Sequence, residues 1–236
     1  MQAKLSIIIP AYNESDRIVR TVSELLEFAA ANPAVNLTEV IVVCDGCSDN
    51  TEEKVKTSID SSIVSTISYA KNQGKGFAVR TGVLAAKGEI IGFMDADGST
   101  SLEEIPLFTQ ILTESRADVV IGSRSLPESN ITRRQPFYRW LLGKCFYLCT
   151  LWIDHLPYHD TQCGFKFFTA DAARSLFEPL ISKGFEFDIE ILVRAAHLGL
   201  KIQEKPVTWH NDPRSSVSVI RDGFKTLISL WKFRRI

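Results

Sequence analysis

Five short apolar runs, Leu5–Ile9, Val40–Cys44, Ile63–Tyr69, Ile90–Met94 and Val119–Ile121, are dense in β-branched residues and too short to make helices. Between them, around 15–31, 49–58, 75–86 and 101–115, apolar positions recur at helical spacing. Continuous apolar runs alternating with helical patterns predict buried strands joined by helical crossovers, the rhythm of a βαβ sheet. Such sheets bind ligands in the crevice at the carboxyl ends of their strands. The residues just after each strand are therefore where chemistry is expected.

Those residues are unusual for loops that only turn the chain. They read Pro10-Ala11-Tyr12-Asn13-Glu14, then Asp45-Gly46-Cys47-Ser48-Asp49, then Lys71-Asn72-Gln73-Gly74-Lys75-Gly76, then Asp95-Ala96-Asp97-Gly98-Ser99. Asp, Asn and Gly are ordinary turn and cap residues, so one such loop says little. Four on one sheet edge point to a site. Asp95-x-Asp97 offers two hard oxygen ligands suited to Mg2+ or Mn2+ on a diphosphate, and it equally suits a turn capping the helix at Ser101. Residues 72–76 fit either a glycine-rich turn or an anion cradle in which Lys75 supplies charge. Arg124, in Gly122-Ser123-Arg124 after the fifth strand, is placed to meet a phosphate.

The second half has a different pattern. From Phe137 to His155 most positions are apolar or aromatic, with Arg139, Gly143, Thr150 and Asp154 forming a narrow polar stripe. This reads as a buried central helix or as a helix on a membrane surface, led by Arg133 and Arg134. The tail 216–236 is a basic amphipathic helix carrying Phe224, Leu227, Ile228 and Trp231 with Lys225, Lys232, Arg234 and Arg235, and membrane contact explains its clustered cations better than docking on its own domain. Between lie Asp160-Thr161-Gln162-Cys163-Gly164-Phe165-Lys166 and a helix from Asp188 through Glu190 to His197. A further strand is expected over Ile202–Trp209, followed by His210 and Arg214.

Composition narrows the class without naming it. The 236 residues are 45% hydrophobic and 23% charged, and 27 basic against 28 acidic side chains leave a net charge of −1. Disorder, collagen and disulfide-stapled miniproteins are excluded, and no nucleic-acid partner is indicated. Five cysteines and a start without signal-peptide features favour a reducing compartment. Cys44 and Cys47 with Cys145 and Cys149 are read as buried or incidental thiols rather than a zinc site. No stretch of 18 residues is free of charge, so no clear transmembrane span is present.

Read together and in order, the four loop motifs resemble the family-two glycosyltransferases of GT-A fold. Gly122-Ser123-Arg124 and the Asp160–Lys166 segment are similar to the dolichyl-phosphate glucosyltransferases and, more distantly, the dolichyl-phosphate mannose synthases. The resemblance spans about Leu5 to Trp209. It implies an α/β, Rossmann-like GT-A fold: a mostly parallel sheet flanked by helices in a catalytic domain 1–215, including an amphipathic helix over 133–156, then the C-terminal amphipathic helix 216–236.

By the same resemblance Pro10, Tyr12, Glu14 and Asp45 would bind the nucleotide, with Lys75 and Asp95 beside it. Asp95 and Asp97 would hold the metal, with Ser99 where mannose synthases often carry a glutamine ligand. Arg124, Gln162, Lys166 and Arg214 would face the acceptor phosphate, and Asp188 would stand in the acceptor-facing acidic motif. The implied catalytic set is Asp97, Asp188, Arg124 and Lys166. The wording of the fourth loop favours UDP-glucose over GDP-mannose as donor, and the acceptor would be a polyprenyl phosphate. Cys44 and Cys47 depart from the usual acid and serine, and Asp212–Ser216 replaces a usual Gly-Ser-Lys. Eukaryotic relatives usually carry an N-terminal anchor, whereas this sequence starts at its first strand, and the expectation is that the two amphipathic helices hold the enzyme on the cytoplasmic face of a membrane. Transfer to a soluble hydroxyl acceptor, a nucleotidyltransferase and a noncatalytic module are the competing readings.

Overall fold

A computed structural model of the chain describes residues 2–133, 151 and 156–210. A seven-stranded sheet forms its centre, in the order β3-β2-β1-β4-β7-β5-β8. The strands are β1 Leu5–Ala11, β2 Leu37–Asp45, β3 Val64–Tyr69, β4 Ile90–Met94, β5 Val119–Ser123, β7 Phe165–Thr169 and β8 Ile202–Pro206. A two-stranded ribbon pairs β6 Asn130–Arg133 with β9 Thr208–His210. Among the described residues the α-helices seen from end to end are α1 Ile18–Ala31, α2 Thr51–Ser58, α3 Lys75–Ala85, α4 Ile105–Thr113, α5 Ala170–Phe177 and α6 Phe187–His197.

Alternation along the strands builds a core on each face. Ile8 of β1 packs with Ala78, Val79 and Val83 of α3 and with the apolar residues of α5 and α6. Its neighbours Ile7 and Ile9 face Ile18, Val22 and Leu25 of α1, Val55 of α2 and Phe108 of α4. Ile7, Ile8 and Ile9 are all fully buried, which is why this strand reads as an unbroken apolar run. Burial of each such side chain contributes roughly 1.5–3 kcal/mol.

The five strands expected in the first half all form, as do the four helices between them. The helix expected over 101–115 opens with a 3-10 turn, Leu102–Glu104, before α4. The strand expected over Ile202–Trp209 is instead divided. Pro206 lacks an N–H to continue the ladder, Val207 turns inward and donates its N–H to Ser123 O at 3.2 Å, and β9 then joins the ribbon. Two strands were not expected: β6, which pairs with β9, and β7, which runs antiparallel between β4 and β5. The helices expected over 133–156 and 216–236 lie, but for residues 133, 151 and 156, outside the described residues, as does Arg214. Among the described residues no helix is long and apolar enough to cross a membrane.

Candidate active site

Because β7 is antiparallel to its neighbours, its entrance lies beside their exits: Phe165 pairs with Met94, the last residue of β4. The segment Asp160–Gly164 therefore reaches the edge where β1, β2, β4 and β5 end. Three contacts tie the β4 loop down there. Thr21 Oγ1 of α1 donates to Ala96 O at 2.8 Å, His210 N to Ser99 O at 2.8 Å and Ser101 N to Thr208 O at 2.9 Å.

Asp95 and Asp97 stand at this edge with Lys75. Lys75 Nζ is 2.6 Å from Asp95 Oδ1. Asp97 Oδ1 accepts from Ser99 N at 2.9 Å. The cap of the following turn is Ser101, whose side chain accepts from Glu103 N, so neither aspartate is used as a helix cap. Burial, and then the charge of Asp95, push the Asp97 carboxyl above the usual carboxylate range. The Ser99 hydroxyl is buried beside Asp97 without a well-aligned hydrogen bond to any described residue. Two mutually repelling carboxylates beside the buried Ser99 hydroxyl form an all-oxygen donor set that fits a hard divalent ion. Among the described residues no group of three His, Cys, Asp or Glu side chains is arranged to hold a metal, so a ligand's own oxygens would have to complete the shell.

Lys166 and Asp188 come together differently. Both are closed to solvent, at 0% and 1% exposure, and Lys166 Nζ donates to Asp188 Oδ1 and, at 2.8 Å, to Cys163 O. The ammonium lies 5.4 Å from the Phe93 ring centroid. Burial raises the Asp188 pKa against the lowering effect of Lys166 and then Lys75. Burial would lower the Lys75 pKa, but Asp95 and then Asp188 raise it. The four groups thus form an alternating series, Lys166, Asp188, Lys75, Asp95.

The glycines around Lys75 have a packing role. A Cβ on Gly74, whose φ is +105°, would lie 2.4 Å from Lys183 O, and one on Gly76 would lie 2.7 Å from Phe187 Cβ and 2.8 Å from Ser182 O. Their absence lets the start of α3 sit directly on the segment that leads into α6, where Phe77 N donates to Lys183 O at 3.1 Å.

Arg124 is held by a residue that the sequence left without a role. Its Nε and Nη2 donate to the two oxygens of Asp160 at 2.6 and 2.8 Å, and its backbone N–H donates to Oδ2 at 2.9 Å. Arg124 remains 28% exposed at its side chain, 5.5 Å from the Trp209 ring centroid. Burial would raise the Asp160 pKa, but the guanidinium holds it below the usual range. Asp160 N donates in turn to Glu204 Oε1 at 2.9 Å. Gln162 lies half-buried between Thr161 and Cys163.

At the β1 end Pro10 is half-buried and Tyr12 is 48% exposed. Glu14 pairs with Arg17, whose Nη2 donates to its Oε1 at 2.8 Å. Asp45 is buried, and its two oxygens accept from Gln73 N at 2.7 Å and Gly74 N at 2.9 Å, so it fastens the 72–74 loop. Beyond it a cleft of about 360 Å³ is lined by Cys44, Cys47, Asp49, Glu52, Ser68, Tyr69 and Ala70. Cys44, Cys47 and Cys163 are free thiols.

Sequence reasoning passed over Asp160, Glu204 and Gly164. Asp160 and Gly164 carried a signal, their place in the Asp160–Lys166 string, and Glu204 carried none.

Comparison with known proteins agrees with this architecture. Residues 6–177 match the family described as Glycosyl transferase family 2. The dolichyl-phosphate beta-glucosyltransferase of Dictyostelium discoideum is 32% identical over 251 residues, covering 98% of this chain and 77% of that protein. The enzyme of the same name from Homo sapiens is 33% identical over 218 residues, covering 87% and 67%. Glucosyl-3-phosphoglycerate synthase from Mycobacterium tuberculosis, solved with Mn2+, UDP-glucose and phosphoglyceric acid, shares the fold with a TM-score of 0.69 at 21% identity, covering 97% of this chain and 79% of that one. With a family match along most of its length and relatives above 30% identity, the chain belongs to glycosyl transferase family 2 and is a glycosyltransferase of GT-A fold.

Proposed function

We propose that the enzyme transfers glucose from UDP-glucose to a dolichyl-type polyprenyl phosphate, by a single displacement that inverts the α-linked donor to a β-linked lipid-phosphate sugar. The names of its relatives support the glucose and the lipid phosphate. The observation that carries the reading is the meeting of Asp95, Asp97 and Lys75 at one sheet edge, where a sugar diphosphate requires charge neutralisation.

Asp95 and Asp97 are the residues to hold Mg2+ or Mn2+, which when bound would act as a Lewis acid on the departing diphosphate. Lys75 adds a fixed positive charge for the same oxygens. Pro10, Tyr12 and Glu14, with Asp45 shaping the loop behind them, bound the nucleotide. An acceptor phosphate is already anionic near neutral pH and attacks without a strong general base. Positioning is then the main task, and Arg124, oriented by Asp160 and accompanied by Gln162 and Arg214, supplies the guanidinium fork for that phosphate. The amphipathic segments 133–156 and 216–236 hold the enzyme on the cytoplasmic face of a membrane where the lipid resides.

The test is incubation of the full chain with UDP-glucose or GDP-mannose, with and without polyprenyl phosphate and Mg2+ or Mn2+. A lipid-soluble β-glucosyl product that requires UDP-glucose, the lipid phosphate and the divalent ion is expected. A product from GDP-mannose alone would replace the donor, and a product only on a water-soluble acceptor would replace the acceptor.

A further inference from the structure

The Lys166–Asp188 pair is closed to solvent, the start of α3 packs on Phe187 just before Asp188, and the Asp188 carboxylate acts on the charge of the same Lys75 that pairs with Asp95. The geometry points to Lys166 and Asp188 as a positioning pair that sets how the Lys75 ammonium is shared between the Asp95 edge and the interior. This deepens the proposed function and rests on its reading of Asp95 and Asp97 as the holders of a divalent ion.

Each member is rigidly mounted. Lys166 is the second residue of β7, paired with Phe93 of β4 on one side and Ile121 of β5 on the other. Asp188 sits in the first turn of α6, and α3 bearing Lys75 is seated on the segment before α6 through Gly74 and Gly76. The Lys75 ammonium also lies 5.8 Å from the Phe185 ring centroid. Without a cation, Lys75 occupies Asp95 Oδ1, one of the oxygens that the ion requires. When that oxygen turns to the ion, Lys75 retains Asp188 as a fixed counter-charge and stays beside the diphosphate. Lys166 moderates the attraction: it satisfies Asp188 enough that Lys75 is not drawn inward and away from the edge.

Substitutions in the pair should therefore move metal affinity in opposite directions. Lys166→Met leaves Asp188 to claim Lys75, which frees Asp95 and tightens binding of the ion. Asp188→Asn removes the inner claim, drives Lys75 onto Asp95 and weakens it. A shift on the order of fivefold in each direction is expected for charges at this range in a partly polar interior. In a Lys75→Gln background both shifts should vanish, because the pair acts through that ammonium. A purely structural role would weaken binding in both variants and would not depend on Lys75.

Mn2+ binding to the full chain, read by the electron paramagnetic resonance signal of the free ion, measures this without turnover. Equal affinities, shifts of one sign, or shifts that persist in Lys75→Gln overturn the inference while leaving the metal reading in place. Failure of the parent chain to bind Mn2+ overturns the metal reading, and the inference with it. If either single variant fails to fold, the neutral pair Lys166→Met/Asp188→Leu, which removes both buried charges together, replaces it. That variant also removes the inner claim on Lys75, so it should bind Mn2+ more weakly than the parent, as Asp188→Asn does, and the loss should vanish when Lys75→Gln is added. Unchanged Mn2+ affinity in it, or a loss that persists with Lys75→Gln, overturns the inference.

Discussion

Gly164 leaves open the volume that the Asp95 carboxylate fills: a Cβ on it would stand 2.0 Å from Oδ2 and 2.4 Å from Oδ1. The two residues are also joined through the backbone, Asp95 N donating to Gly164 O at 3.1 Å. The strand insertion that brings β7 beside β4 thus also aims the first carboxylate of the acidic pair.

Gly164→Ala should keep the fold, because the group that must yield is the end of a side chain and not backbone. It should turn Asp95 out of place and lower metal-dependent transfer by on the order of 10²-fold, the cost expected of a misplaced reacting geometry. Circular dichroism and transfer rates against Mn2+ concentration check both halves. Full activity would show that Asp95 functions in another orientation.

Asp97→Ala should abolish divalent-dependent transfer with the thermal midpoint little changed, since among the described residues Asp97 accepts a hydrogen bond only from Ser99 in its own turn. Retained activation by Mg2+ or Mn2+ would sink the metal assignment.

The Arg124–Asp160 pair should give an acid limb to stability. The folded pKa of Asp160 is depressed, so its contribution is fully present above the unfolded carboxylate value of about 4 and is lost as pH falls through the folded value. Urea denaturation between pH 3 and pH 7 should show this fall, and Arg124→Met should flatten it by removing the charge that depresses Asp160. An unaltered profile would mean that the pair does not govern acid sensitivity.

Gly76→Ala should destabilise by about 1–3 kcal/mol, because its Cβ would press on Phe187 Cβ and on the backbone oxygens of Ser182 and Gly184. The urea midpoint reads this directly. A variant of normal stability that had lost only nucleotide affinity would return the glycine to the role of an anion cradle.

Cys44 and Cys163 should resist alkylation in the native enzyme at pH 8. Burial pushes each thiol up to about 12, leaving little thiolate to react. Peptide mapping after iodoacetamide tests this, and both sites should label once the chain is unfolded.

Much of the fold was legible because β1 to β5 are contiguous apolar runs and α1 to α4 have apolar stripes at helical spacing, both of which follow from nearest neighbours in the chain. The loops rich in Asp, Asn and Gly could be assigned to one edge because parallel strands share a direction. β7 escaped because it is buried on both faces and carries a lysine at its second position, so Phe165–Thr169 has neither strand alternation nor an unbroken apolar run.

The sequence by itself thus determined the five strands of the first half, the helices between them and the edge at which the Asp95–Asp97 pair stands, all consequences of local periodicity and of residue types with few other uses. Only the tertiary structure decided which charges meet. Arg124 finds Asp160 at a separation of 36 residues and Lys166 finds Asp188 at 22. Nothing in a one-dimensional pattern distinguishes a lysine that faces a ligand from one sealed among phenylalanines. That outcome depends on where β7 is inserted and on the need of a buried ammonium for an equally buried carboxylate.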